Sequence, residues 1–254
     1  MELKSPAEIE VMRQANAIVV AAHLEIAAAV KPGTTTAELD RIAARTIALH
    51  PGAKAAFLGY QGFPASICAS IDNEVVHGIP SRRVLEEGSI IAVDVGVRFR
   101  GFIGDAAVTY PVGRIDEAAR ALLRATRESL YKAIRMARVG GRLSDISHAV
   151  EAHVVPLGYG VVTDYVGHGV GREMHEDPQI PNFGPPGKGP RLAAGMTLAI
   201  EPMINEGVGA TKVLEDRWTV VTADGRRSAH FEHSIAITDE GPMILSEGLP
   251  DEVL

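Results

Sequence analysis

The chain has 254 residues, 46% of them hydrophobic, with a formal net charge of −7. That length can bury a substantial core, and charges of both signs are mixed along it, which excludes a disordered polypeptide. The acidic balance argues against nucleic acid as the main partner, because such proteins carry a basic face. Cys68 is the single cysteine, so no internal disulfide can form, which fits a reducing cytosol. The opening Met1-Glu2-Leu3-Lys4-Ser5-Pro6 lacks the apolar stretch and cleavage site of a signal peptide. The most apolar window, residues 15–30, is interrupted by His23 and Glu25 and reads as a buried helix rather than a membrane span.

Ser5-Pro6-Ala7-Glu8 has the form of a capping box with proline at the first helical position, and it opens a long helix that Lys31-Pro32-Gly33 ends. Thr35-Thr36-Ala37-Glu38 offers a second capping box and a helix to about Leu49. Residues 66–110 change to short β-rich runs separated by turns. A second helical region runs from about Asp116 to Arg138, breaks at Gly140-Gly141 and resumes from Ser144 to about Val155. After Pro156 the chain returns to strands and glycine-rich loops. The order is helices, strands, helices, strands. A shift of 107 residues places Gly33 on Gly140 and Ile91-Ala92-Val93-Asp94 on Leu198-Ala199-Ile200-Glu201. The pattern predicts an internal duplication within one domain, residues 1–254, whose halves span about 1–112 and 113–254. Asp94 and Glu201 then occupy equivalent strands.

Ser89 to Val97 is apolar enough to be a buried strand, yet it contains Asp94. A polar turn follows, and the next run, Phe102 to Tyr110, contains Asp105. A hairpin centred between Phe99 and Arg100 places these two aspartates directly opposite each other, with Cβ atoms about 5 Å apart. Two like charges so placed are destabilising unless one is protonated or a cation lies between them. The anomaly recurs in Thr197 to Met203, which holds Glu201, and in Phe231-Glu232-His233-Ser234-Ile235. Asp224-Gly225, between Trp218–Thr222 and Arg226–Thr238, reads as a hairpin turn. One buried carboxylate is more often part of a structural ion pair than a metal ligand. Four of them, in apolar runs without a matching lysine or arginine, favour metal ligation.

Among the histidines, His168 stands between glycines in Tyr165-Val166-Gly167-His168-Gly169-Val170-Gly171, where its ring is unobstructed. His175 follows seven residues later, and His77 lies in the loop Asn73-Glu74-Val75-Val76-His77-Gly78-Ile79-Pro80. His23, His50, His148 and His153 fall in or beside helices and read as surface or packing residues. His230 and His233 flank Glu232 and are expected on the opposite face of its strand. No helical His-Glu-x-x-His zinc motif is present. One histidine with four carboxylates is an oxygen-rich set suited to manganese, iron or cobalt rather than a structural zinc.

The spaced set Asp94, Asp105, His168, Glu201 and Glu232 resembles the two-metal centre of the methionine aminopeptidases. Its most specific companions are Asn73 to Pro80, Gly167 to Pro178 with Ile180-Pro181-Asn182-Phe183 following, Ile200-Glu201-Pro202-Met203 and Phe231-Glu232-His233-Ser234. The resemblance covers the chain from the first helix to Ile244. It implies an α+β pita-bread fold: a curved antiparallel sheet with helices outside and internal pseudo-twofold symmetry. It further implies two divalent ions (cobalt, manganese, iron or zinc), with Asp94 chelating one, His168 and Glu201 holding the other, and Asp105 and Glu232 bridging both. By the same resemblance His77 and His175 contact substrate, Glu201 accepts the proton of water, and Tyr60, Phe63, Cys68 and Trp218 line the methionine pocket. Phe57 stands where some members carry a cysteine, and Met174 where some carry phenylalanine. Only 33 residues separate His168 from Glu201, which leaves no room for the insertion of type II members. The chain is expected to start directly at the catalytic domain, as in short bacterial type I members.

The implied activity is removal of the N-terminal methionine from nascent proteins with a small second residue, by a cytoplasmic monomer at the ribosome. Two alternatives share the fold. A proline-specific peptidase normally carries an extra amino-terminal domain, and a catalytically inactive binding module loses ligands that are all present here.

Overall fold

The computed structural model describes residues 2–250, so Met1 and residues 251–254 of the expected 1–254 unit lie outside it. Helix α1 (Pro6–Ala29) begins as the sequence predicts: the Ser5 backbone N–H donates to the Glu8 carboxylate at 2.8 Å, and the Glu8 N–H donates to the Ser5 hydroxyl. Helix α2 (Thr36–Ala48) is capped by Thr35, whose hydroxyl accepts from the Glu38 N–H at 3.2 Å. Strands β1 (Lys54–Ala55), β2 (Ile67–Ile71), β3 (Glu74–Val76), β4 (Ile90–Phe99) and β5 (Phe102–Pro111) follow. Helices α3 (Glu117–Met136) and α4 (Leu143–Val154) flank the Gly140-Gly141 break. The remaining strands are β6 (Gly160–Val161), β7 (Gly167–Gly169), β8 (Glu176–Ile180), β9 (Thr197–Ile200), β10 (Met203–Asn205), β11 (Thr211–Val213), β12 (Val220–Thr222), β13 (Ser228–His230), β14 (Glu232–Thr238) and β15 (Gly241–Ile244). No helix of the described residues is long and apolar enough to cross a membrane.

The main sheet has nine strands in the order β1-β4-β5-β14-β9-β7-β8, with β2 also on β4 and β15 also on β14. Every pairing in it is antiparallel. Strands β5 and β14 meet at its centre, with β4 and β9 on either side. Helix α1 packs over β4 and β5, and α3 contacts β9 and β14. The buried stripe of α1, Met12, Ala15, Ile18, Val19, Ala22 and Ile26, recurs every three or four residues and faces the sheet. Contact there is close: a Cβ on Gly104 of β5 would lie 2.6 Å from backbone atoms of Ala15 and Asn16. Glycine therefore lets the helix reach the strand, and the Asn16 side chain accepts from the Asp105 N–H at 3.2 Å. His23, fully buried in α1, bonds Tyr110 Oη at 2.8 Å and the Ala106 carbonyl at 3.0 Å. Burial pushes its pKa down to about 4, so it stays a neutral packing residue, as expected.

Three expectations are corrected. The β4–β5 hairpin turns through Arg100-Gly101, both at positive φ, and pairs Phe99 with Phe102. Asp94 therefore faces Ala107, not Asp105, and Asp105 faces Gly96. The register differs from the expected one by two residues, so both carboxylates remain on one face, now diagonal to each other. Glu201 lies just beyond β9, in the two-residue Glu201-Pro202 break before β10, rather than within a strand. Asp224-Gly225 turns the chain without joining a paired hairpin: β12 pairs with β11 and β3, and β13 pairs with β10. The Asp224 carboxylate accepts from the Val208 and Arg226 N–H groups instead, at 2.9 and 3.1 Å, which anchors the turn to a neighbouring loop.

Candidate active site and metal centre

Four strands and the residue just after a fifth deliver the candidate ligands. Across the sheet these are Asp94 in β4, Asp105 in β5, Glu232 at the start of β14, Glu201 just after β9 and His168 in β7. Ala107 lies opposite both Asp94 and Glu232, so a small side chain leaves room between two carboxylates. Asp105 and Glu232 are each 3% exposed and His168 8% exposed. One ligand atom from each of these three lies within 4.8 Å of the others. His168 Nε2 stands 3.3 Å from Glu201 Oε1 and 3.9 Å from Asp105 Oδ2. Its Nδ1 is 2.9 Å from the Gly169 carbonyl. A proton on Nδ1 satisfies that carbonyl and leaves the Nε2 lone pair facing the carboxylates, the arrangement of a metal-binding imidazole.

Burial dominates the electrostatics. It raises the pKa of Asp94 and of Glu201 to about 7, and it pushes Asp105 and Glu232 well above the carboxylate range, reinforced by neighbouring carboxylates. Asp94 Oδ1, Asp105 Oδ1 and Glu232 Oε1 are buried with no hydrogen-bond partner. Packed protein rarely buries three unpartnered carboxylate oxygens unless something positive belongs beside them. The residues fit a divalent metal centre of oxygen-rich character.

The two histidines expected to contact substrate, His175 and His77, stand beside it. The His175 and His168 ring centroids are 4.4 Å apart, and His175 Nδ1 is 2.8 Å from the Tyr60 hydroxyl. Partial desolvation, then the neighbouring His77, lower the His175 pKa. The loop bearing His175 is tied down by Glu176, whose carboxylate accepts from the Arg172 N–H at 2.7 Å and from the buried Lys4 ammonium at 2.7 Å. His77 takes a positive φ of 61°, with its ring edge-on to Tyr165 and Trp218. Burial lowers its pKa to about 4. Tyr60, Phe63, Cys68 and Trp218 line one cavity of about 120 Å³, together with Phe57, Gln61, His77, Asp94 and His175. Phe63 and Trp218 meet edge to face with centroids 5.1 Å apart. Burial and the nearby carboxylates hold the Cys68 thiol protonated.

Residues 10–239 match the sequence profile of metallopeptidase family M24. The chain is 54% identical over 243 residues to methionine aminopeptidase 1 of Bacillus subtilis, covering 96% of this chain and 98% of that one. The chain belongs to metallopeptidase family M24. Within the family, its fold is similar to the crystal structure of methionine aminopeptidase from Thermotoga maritima, with a TM-score of 0.95, 49% identity, and coverage of 97% and 99%. The prolidase of Pyrococcus horikoshii shares the fold at a TM-score of 0.80 and 21% identity, and the match covers 65% of its chain. These likenesses bear out the pita-bread architecture and disfavour the proline-specific and inactive alternatives.

Three features of this M24 site differ from, or add to, the sequence reading. His230 faces the centre rather than the opposite side of its strand: its Nε2 is 3.6 Å from Glu201 Oε2. His230 ends β13 and Glu232 opens β14, so the two belong to different strands, and the break at Phe231 lets both turn towards the centre. His233, one position away, does point outward, to Tyr131 and Ser246 at 2.9 and 2.8 Å. Phe57 and Met174 converge over Gly96, where a Cβ would lie 2.6 Å from Phe57 and 2.9 Å from Met174. The two departures noted in the sequence thus pack against one glycine. Gln61, at a positive φ of 48°, joins the cavity without any sequence signal pointing to it.

Proposed function

We propose that the protein is a dinuclear-metal methionyl aminopeptidase that clears the first methionine from nascent polypeptides when the second residue is small. The observation that carries this reading is that the carboxylate cluster and the apolar cavity share a wall, Asp94 and His175. A side chain in the cavity places its own backbone beside the metal centre. The apolar lining suits an unbranched, polarisable thioether.

Asp94, Asp105, His168, Glu201 and Glu232 would hold the ions. Divalent ions held there would supply Lewis acidity, lowering the pKa of water from about 15.7 towards about 7. Glu201 accepts the proton of the attacking water. His175 donates a hydrogen bond to the carbonyl oxygen as charge develops there, and His77 contacts the amide being broken. Phe63, Trp218 and Tyr60 exclude water from the methionine side chain. On the same reading residues 1–254 form one catalytic unit in which the halves, about 1–112 and 113–254, each supply carboxylates to the β5–β14 seam. The protein acts as a monomer in the cytoplasm, at the ribosome.

A peptide panel tests this. Met-Ala-Ser is expected to be cleaved, whereas Met-Glu-Leu and Leu- or Lys-initiated peptides are not. Preferential cleavage of an Ala-Pro peptide would instead make the protein a proline-specific relative.

A further inference from the structure

His230 has no assigned role, and its surroundings give it one. It ends β13, next to the break that separates β13 from β14 and so from Glu232. Its backbone is locked: the His230 N–H donates to Thr109 Oγ1 at 2.9 Å, and the Thr109 hydroxyl donates to the His230 carbonyl at 2.7 Å. The residue is 2% exposed, and Nε2 has no hydrogen-bond partner. That nitrogen is aimed into the carboxylate cluster, 3.6 Å from Glu201 Oε2.

Glu201 therefore stands between two imidazoles, one at each oxygen. Oε1 faces His168 Nε2 at 3.3 Å, and Oε2 faces His230 Nε2 at 3.6 Å. His168 spends its Nδ1 proton on the Gly169 carbonyl, which leaves a lone pair on Nε2. At His230, a lone pair on Nε2 would face carboxylate oxygens and be repelled by them, so the proton belongs on Nε2. That distance is slightly beyond a hydrogen bond, and such contacts tighten when a site is loaded.

We propose that His230 is a positioning residue that donates its Nε2 proton to Glu201 Oε2, fixing the carboxylate so that Oε1 stays turned towards His168. This rests on the reading of Glu201 as a metal ligand and proton acceptor. A donor is what the position requires, so an amide can replace the imidazole and an alkyl chain cannot. The variants His230→Leu and His230→Gln separate a donor from mere filling of space.

Cobalt titration of the metal-stripped protein, followed by visible absorption, reads the centre without any peptide. His230→Leu is expected to keep its stoichiometry but to bind about tenfold to a hundredfold more weakly, the usual effect of losing an outer-shell partner. Its kcat on Met-Ala-Ser is expected to fall by a similar factor with KM nearly constant. His230→Gln is expected to recover most of both. Wild-type affinity and kcat in His230→Leu would reduce the residue to packing. Loss of one equivalent of cobalt in both variants would make it a ligand, and either result overturns the proposal. Should the wild-type protein bind cobalt but cleave no methionyl peptide, the substrate assignment fails while the titration still decides the Glu201 contact.

Discussion

Asp105→Ala and Glu232→Ala are each expected to abolish methionyl peptide hydrolysis and to lower bound metal. The loss should exceed the roughly 10–100-fold that follows removal of an outer-shell partner. Each of these carboxylates is buried, and each presents an unpartnered oxygen to the cluster. Each lies in the group that brings ligand atoms within 4.8 Å of one another, so removing either opens the centre of the site. Metal analysis beside steady-state assays checks this, with His50→Ala, at the end of α2, as the control that keeps metal and activity. The raised pKa values of Asp94 and Glu201 add a pH signature. Both groups, near 7 in the metal-free site, are protonated below that value, so metal must displace their protons. Metal affinity is expected to weaken as pH falls below about 7 and to level off above it for these two groups. Asp105 and Glu232, pushed higher still, extend the rise to more alkaline pH. Full metal content in Asp105→Ala, or an affinity indifferent to pH, would mean that the cluster is not the metal site.

His175→Ala carries the second largest expected effect, and it separates chemistry from ligation. The ring packs on His168 and meets Tyr60 Oη through Nδ1, so Nε2 is the nitrogen left for substrate. The variant is expected to retain its fold and its metal. Its kcat should fall about a hundredfold to a thousandfold, about 3–4 kcal/mol, the effect of removing one oxyanion donor. KM should change far less, because the contact strengthens in the transition state. Near-normal turnover would make His175 a loop-packing residue, and lost metal affinity would make it a ligand.

Much of the site was legible because a charge in an apolar strand stands out against its neighbours. Asp94, Asp105, Glu201 and Glu232 interrupt runs of valine, isoleucine and alanine, and the fold lines them up across adjacent strands. Helix starts were legible for a local reason, since Ser5 and Thr35 cap within three residues. What failed depended on partners distant in sequence. The β4–β5 register turns on which residues take positive φ, and Arg100 does so without any compositional hint. Asp224-Gly225 has the chemistry of a hairpin turn, yet the strands beside it find better partners in β3, β10 and β11. His230 faces inward because the strand breaks at Phe231, between β13 and β14, and nothing in the composition marks that break.

The central claim is that the buried carboxylates form a metal centre on which peptide hydrolysis depends. The most direct test is to strip the protein exhaustively with a chelator, confirm by metal analysis that it is empty, and follow Met-Ala-Ser hydrolysis as manganese, iron or cobalt is added back. No hydrolysis is expected in the stripped protein, with recovery that tracks metal binding. Full activity in the demonstrably metal-free protein would contradict it.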